Sequence, residues 1–172
     1  MKTSPIRTFS ALLMLTLVAG CAGYGSTPIQ AGDTEPAIIS RLGQPTARYR
    51  EGNDTILAYV HGPWGQQTHI ARLDANGNLT SYQQVLTTQQ FNTVVIGQTT
   101  KENILHRFSI PAETSYLSLS KLEVWTYRYK ENGAWNSMMH IHFDKDGIVR
   151  KMLNGPDTWL EHDEHIPRLL GR

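Results

Sequence analysis

The chain has 172 residues, with 16 Lys and Arg against 15 Asp and Glu, a formal net charge of +1 and a single cysteine. This balance excludes a body built to neutralise nucleic acid, and one cysteine excludes an internal disulfide framework. The length suffices for one hydrophobic core or two small ones.

Lys2 and Arg7 precede an apolar run from Phe9 through Val18, and the small residues Ala19 and Gly20 lead directly to Cys21. A basic start, a short apolar stretch and small residues at the cut make residues 1–20 an export signal. The apolar run is well short of the roughly 20 residues a membrane-spanning helix needs. Val18-Ala19-Gly20-Cys21 resembles the lipobox of bacterial lipoproteins, an aliphatic residue and two small ones before the acceptor cysteine. The resemblance implies lipidation of Cys21, with diacylglycerol on the thiol and a palmitate-type acyl chain on the new amino group. Three buried chains at about 0.8 kcal/mol per CH₂ hold a protein on a membrane essentially irreversibly. Ala22, where an Asp would signal retention, resembles the outer-membrane sorting pattern. Loss of Lys2 and Arg7 leaves 14 basic against 15 acidic side chains, a net charge of −1. Residues 21–33, rich in Gly, Ser, Thr and Pro, read as a tether.

Beyond the tether, three landmarks recur in the same order. Ile38-Ile39-Ser40-Arg41-Leu42-Gly43-Gln44-Pro45 matches Ile104-Leu105-His106-Arg107-Phe108-Ser109-Ile110-Pro111, 66 residues later. Thr55-Ile56-Leu57-Ala58-Tyr59 matches Glu123-Val124-Trp125-Thr126-Tyr127 at an offset of 68, and Leu73-Asp74-Ala75-Asn76-Gly77-Asn78-Leu79 matches Phe143-Asp144-Lys145-Asp146-Gly147-Ile148-Val149 at 70. Slowly growing offsets are what loop insertions produce in a duplication. The organisation expected is a first unit over 34–87, a second over 88–154 and a tail over 155–172.

Within the first unit, Asp33 stands as the helix N-cap, with Pro36 tolerated in the first turn. In the second, Gln89 to Val95 reads as a helix stopped at Gly97, followed by a capping box at Thr99-Thr100-Lys101-Glu102 and a short helix carrying Ile104, Leu105 and Phe108, closed by Pro111. From Lys121 to Lys130, Trp125, Tyr127 and Tyr129 alternate with Val124, Thr126 and Arg128, so a strand there puts all three rings on one face, toward the helices. Met139, Ile141 and Phe143 form the matching apolar face of the next strand. Asp144-Lys145-Asp146-Gly147 and Asp74-Ala75-Asn76-Gly77 then supply tight hairpin turns, the former into a strand over 148–153.

No catalytic set is evident, and neither a cofactor nor a metal is expected. Gly-x-Ser-x-Gly and phosphate-loop patterns are absent, and lipidation would consume the cysteine. His140 and His142 share one strand face, and His162-Asp163-Glu164-His165 adds ligand-type residues, but neither has the i,i+4 spacing of a metallohydrolase helix. Asp144-x-Asp146-Gly147 begins like a calcium loop yet lacks its later Glu, and reads as a hairpin.

The helix ending near Phe108-Ser109-Ile110-Pro111, the pair Trp125-Thr126-Tyr127 and the closing run Phe143-Asp144-Lys145-Asp146-Gly147-Ile148-Val149, after Gly97-Gln98-Thr99, resemble the SmpA/OmlA (BamE-like) outer-membrane lipoprotein family. Ser109 departs from the usual Gly of the helix-ending turn. The resemblance implies an α+β fold, two tandem BamE-like units, each with short helices packed on one face of a small antiparallel β-sheet; as a tandem it is similar to β-lactamase inhibitor protein. It further implies a lipid-anchored outer-membrane protein facing the periplasm. Such a protein would act non-enzymatically as a protein-binding or assembly module, possessing an envelope protein partner and no nucleic-acid partner. The alternative is an inhibitor-like or small-ligand-binding module. The partner face expected is the sheet surface opposite the helices, with Arg128, Met138, His140, His142 and Arg150, joined by Lys130 and Met152; the tail with Trp159, Ile166, Leu169 and Leu170 docks there or reaches a partner. Cys21→Ser should abolish acyl labelling and leave an uncleaved or mis-sorted product; labelling that persists would contradict the anchor.

Overall fold

The computed structural model of this protein describes residues 28–62 and 64–160. The expected export signal, Cys21, most of the expected tether and the tail beyond residue 160 lie outside the described residues. The elements in chain order are α1 (Glu35–Leu42), β1 (Ala47–Glu51), β2 (Asp54–His61), β3 (Gln67–Leu73), β4 (Leu79–Gln84), α2 (Thr88–Phe91), α3 (Lys101–Phe108), β5 (Glu113–Leu117), β6 (Leu122–Glu131), β7 (Trp135–Phe143) and β8 (Val149–Pro156). They form an α+β protein with two four-stranded antiparallel meanders, ordered β1-β2-β3-β4 and β5-β6-β7-β8.

The two halves match beyond their element order. Thr34 bridges Asn78 as Thr100 bridges Ile148. Leu79 N–H donates to Asp33 O at 2.8 Å, and Val149 N–H to Thr99 O at 3.0 Å; Glu35 and Lys101 likewise donate to Gly77 and Gly147. Each helix start is therefore fastened to the end of its own hairpin. Those hairpins are closed by Asp74 and Asp144, whose carboxylates each accept two backbone N–H groups of the turn at 2.9–3.0 Å. Both sheets then carry a bulge at the same place, at Arg72/Leu73 and at His142/Phe143.

Alternation along the central strands decides the layering. Leu57, Tyr59, Ala71 and Leu73 face α1, where Ile38 is wholly buried. Ile56, Ala58 and Ile70, on the other face of that sheet, join one cluster with Phe91, Ile104, Phe108, Trp125, Tyr127 and Tyr129. The order of layers is thus α1, first sheet, α2 with α3, second sheet. The expected ring face is present: Tyr127 and Tyr129 are at most 1% exposed, with Phe91 5.1 Å from Tyr129 and Phe108 5.8 Å from Tyr127. Tyr127 lies wholly in this core, yet its hydroxyl is satisfied by Ser109 O at 2.8 Å. Burial pushes that phenol well above its ordinary value.

Local expectations need four corrections. The capping box is set one residue later than expected, at Thr100 and Asn103, because the Thr99 hydroxyl instead accepts from Val95 N at 2.9 Å. The first helix starts from Thr34 without a side-chain cap, since the Asp33 carboxylate is taken by Gln30 N and Arg41. The helix expected over 89–95 is a single turn, Thr88–Phe91, capped by the Thr87 hydroxyl, and the β-branched run Thr93-Val94-Val95 does not extend it. The strand expected over 148–153 runs from Val149 to Pro156. Phe91, 1% exposed at the centre of the ring cluster, gives the quantitative test. Phe91→Ala should lower unfolding stability by about 3–5 kcal/mol in urea titration, and a loss under about 1 kcal/mol would show that α2 does not close the core.

Candidate functional site

Strand register separates the expected partner face into three fates. Arg128 pairs with Met138, Thr126 with His140 and Val124 with His142, so all of these do lie on the side of the second sheet away from α3. Arg128 is nevertheless only 8% exposed. Its guanidinium is held by Glu113 at 2.5 Å and by Asp157 at 3.1 Å, the latter wholly buried. His142 is 6% exposed, and neither ring nitrogen has a hydrogen-bond partner among the described residues. His140 is satisfied by the Thr126 hydroxyl at 2.9 Å. Met138 is half-buried beside them.

Arg150 and Met152 are corrections. The bulge pairs Phe143 with Val149 and His142 with Lys151, which leaves Arg150 as the extra residue and turns Met152 toward the helices. Arg150 binds Asp144 at 2.6 Å, where the Ile148 and Asp146 N–H groups and Arg150 together hold the carboxyl below its ordinary value. Lys151 and Leu153 take their places on the outward face. The intended surface is therefore broken: two of its five residues are buried and one belongs elsewhere.

The feature that sequence reasoning missed lies at the edge of this face. A cleft of about 620 Å³ is lined by Val60, Trp64, Ile110, Glu113, Arg128 and Trp159, among others. Trp64 comes from the β2–β3 connection, Ile110 from the turn after α3, and Trp159 follows β8. These three large apolar side chains are 48%, 48% and 71% exposed. Gln66 Nε2 reaches Asn136 Oδ1 at 2.9 Å, tying the β2–β3 connection of the first half to the second sheet. Buried Arg128 with its two carboxylates gives the cleft floor a fixed polar point with a net charge of −1. Val60 and Arg128 occupy equivalent positions in the two halves, 68 residues apart, so the cleft opens where the repeats converge.

Chemically, such a cleft can bind. Exposed Trp around a desolvated Arg is the composition that dominates binding energy at protein interfaces. Among the described residues no group of three or more His, Cys, Asp or Glu is placed to hold a metal ion. The carboxylates of Asp74 and Asp144 are taken up by backbone N–H groups of their turns. His162 to His165 lie outside the described residues. No described helix is long and apolar enough to cross a membrane.

No family model matches the chain, so the SmpA/OmlA family is not shown, and no curated protein matches it. Two solved structures are weakly similar. A DUF4309 family protein from Bacillus subtilis is 12% identical, covering 78% of this chain and 84% of that chain, with a TM-score of 0.30. A putative β-lactamase inhibitor protein from Streptococcus mutans is 13% identical, covering 90% of this chain and 98% of that chain, with a TM-score of 0.28. At these scores neither carries an argument about this protein.

Two histidines, buried His142 and half-buried His69, predict a pH response. Burial holds His142 below the ordinary 6.5, with Lys151 and His140 adding to the effect, and burial with His61 does the same for His69. The unfolded chain then takes up protons first, so stability falls as pH drops through 6.5 toward the lowered folded values. Thermal unfolding midpoints should decline over this range, and more shallowly in His142→Gln. Equal slopes in variant and parent would remove His142 as a contributor.

Proposed function

We propose that this chain is a lipid-anchored, periplasm-facing outer-membrane lipoprotein of two tandem BamE-like units. It acts without catalysis, as a protein-binding or assembly module for an envelope protein. The single observation supporting the binding role is the cleft, with Trp64, Ile110 and Trp159 exposed around the ion-paired Arg128. The anchor rests on Val18-Ala19-Gly20-Cys21, and the repeat on the matched helix-to-hairpin fastenings at Thr34 and Thr100.

The partner engages both halves at once, because Trp64 belongs to one and Trp159 to the other. Arg128 supports rather than contacts: with its side chain 10% exposed between Glu113 and Asp157, it fixes the start of β5 against the end of β8. Trp64 and Trp159 are the anchors, and truncating such a residue at an interface centre typically costs about 2 kcal/mol or more of binding, some thirtyfold in affinity.

The test is site-specific photocrosslinking from positions 64 and 159 in cells, with Trp64→Ala and Trp159→Ala measured against the captured partner. An envelope or barrel-assembly component crosslinked from both positions, and weakened at least about tenfold by either variant, is the expected result. A soluble hydrolase captured there would instead establish the inhibitor-like alternative. Crosslinks unaffected by either substitution would remove the cleft as the binding site.

A further inference from the structure

Every open sheet has two edges, and proteins guard them against pairing with another chain by charge, proline, bulges or cover. Three of the four edges here are guarded. β1 presents Arg48, Arg50 and Glu51, and Arg48 is paired with Glu35. β4 begins at a bulge, and the outer side of Leu79 is taken by the backbone of Gly32 and Asp33. β8 carries Arg150 and Lys151, ends in Gly155-Pro156, and has Val149 taken by Gly97 and Thr99.

β5 is different. All five residues of Glu113-Thr114-Ser115-Tyr116-Leu117 are exposed, and the strand has no cation, proline or bulge. Tyr116 and Leu117 are 62% and 43% exposed, and Leu119 just beyond is fully so. Among the described residues nothing pairs with its outer side.

The first half supplies an internal control. β1 and β5 hold the same place in their sheets, 66 residues apart, so Arg48, Arg50 and Glu51 stand where the second half has Thr114, Tyr116 and Leu117. Two copies of β1 laid antiparallel about Tyr49 would set Arg48 against Arg50 of the other copy. Two copies of β5 laid antiparallel about Ser115 set Thr114 against Tyr116 and Glu113 against Leu117, and no charge meets its like. Glu113 is in addition ion-paired with Arg128 at 2.5 Å.

We propose that β5 is a homodimerisation edge, on which a second copy of this chain pairs its own β5 antiparallel about a twofold axis at Ser115. The two second sheets then continue as one sheet of eight strands, a closed and self-complementary arrangement. Because Glu113 both begins β5 and lines the cleft, the pairing brings two clefts onto one continuous sheet, and a partner with two binding segments gains avidity.

The experiment uses the full chain carrying Ser115→Cys. Residues directly opposite at the centre of an antiparallel pair have Cα atoms about 4.5–5.5 Å apart, within disulfide reach. Mild oxidation should convert this chain to a disulfide-linked homodimer, while the parent, and a Thr80→Cys chain with its cysteine on the β4 edge, form no disulfide-linked dimer. Adding Thr114→Arg and Tyr116→Arg transfers the β1 pattern to β5 and should reduce the crosslink to the parent level. A third chain with Thr114→Glu, Tyr116→Glu and Ser115→Cys should restore it when mixed with the Arg-bearing chain, which separates lost pairing from lost folding. A Ser115→Cys chain that stays monomeric, crosslinks no faster than Thr80→Cys, or links to a different protein in place of itself overturns the proposal. That outcome leaves the crosslinks from Trp64 and Trp159 untouched, so the edge and the cleft fail or stand separately.

Discussion

Helix α3 is buried from two sides, and the rest of the arrangement depends on that. Ile104 and Phe108 are wholly buried in the cluster that also holds Trp125 and Tyr127 of the second sheet. The outer face of the first sheet contributes Ile56, Ala58 and Ile70 to the same cluster, and Tyr49 meets His106 with ring centroids 5.4 Å apart. Each fully buried aliphatic or aromatic side chain contributes roughly 1.5–3 kcal/mol, so these contacts outweigh the surface ion pairs, which are worth about 0–1 kcal/mol each. A unit of this kind would ordinarily leave one sheet face open to water. Here the open face of the first half is used to cover the helices of the second, and the halves fold as one core with α1 as a separate outer layer.

Ser109 is where this joint is most visible. Gly43 ends α1 with φ 81, and Ser109 ends α3 with φ 67, a left-handed value that a side chain disfavours by about 1–3 kcal/mol. The conformation is held because every polar group of Ser109 is engaged. Its N–H donates to Leu105 O, its carbonyl accepts from the Tyr127 hydroxyl, and its hydroxyl lies 3.2 Å from that of Tyr49 in the other half. A glycine would relieve the backbone and lose the bond to Tyr49. The substitution that departs from the repeat is thus the one that links the two copies.

Legibility in the sequence followed the strength of local periodicity. Trp125, Tyr127 and Tyr129 alternate so cleanly that both the strand and the buried face could be read, and the Asp-x-x-Gly turns at Asp74 and Asp144 announced their hairpins. β1 and β5 could not be read in the same way. Edge strands have one or both faces in water, and Arg48, Arg50, Thr114 and Ser115 carry no apolar alternation. The bulge at His142/Phe143 is equally silent: one inserted residue moved Met152 inward and Arg150 off the face, and nothing in the strand's composition marks the slip. The burial of Arg128 depends on Asp157, a long-range pair assigned in sequence to opposite sides of a unit boundary. The cleft needs three distant segments to meet, and Ile110, Arg128 and Trp159, each legible as part of a local pattern, carry no sign of that meeting.

The two four-stranded halves present matching structural positions twice, so residues that differ between them are not dictated by the shared architecture. Shared positions are those the architecture requires: Ile38 and Ile104, Tyr59 and Tyr127, Leu79 and Val149, each at most 3% exposed. Other matched positions differ: Val60 stands where the second half has Arg128, and Arg48 and Arg50 of β1 stand where β5 has Thr114 and Tyr116. The extra turn α2 adds Phe91 against the rings of the second sheet, whereas in the first half Tyr59 stacks on His61 and Tyr82 on His69, with the two histidines edge to face. Arg128 and β5 adjoin through Glu113, which begins the strand and pairs with the guanidinium. The two differences therefore meet at a single carboxylate, beside a cleft to which the first half brings Val60 and Trp64.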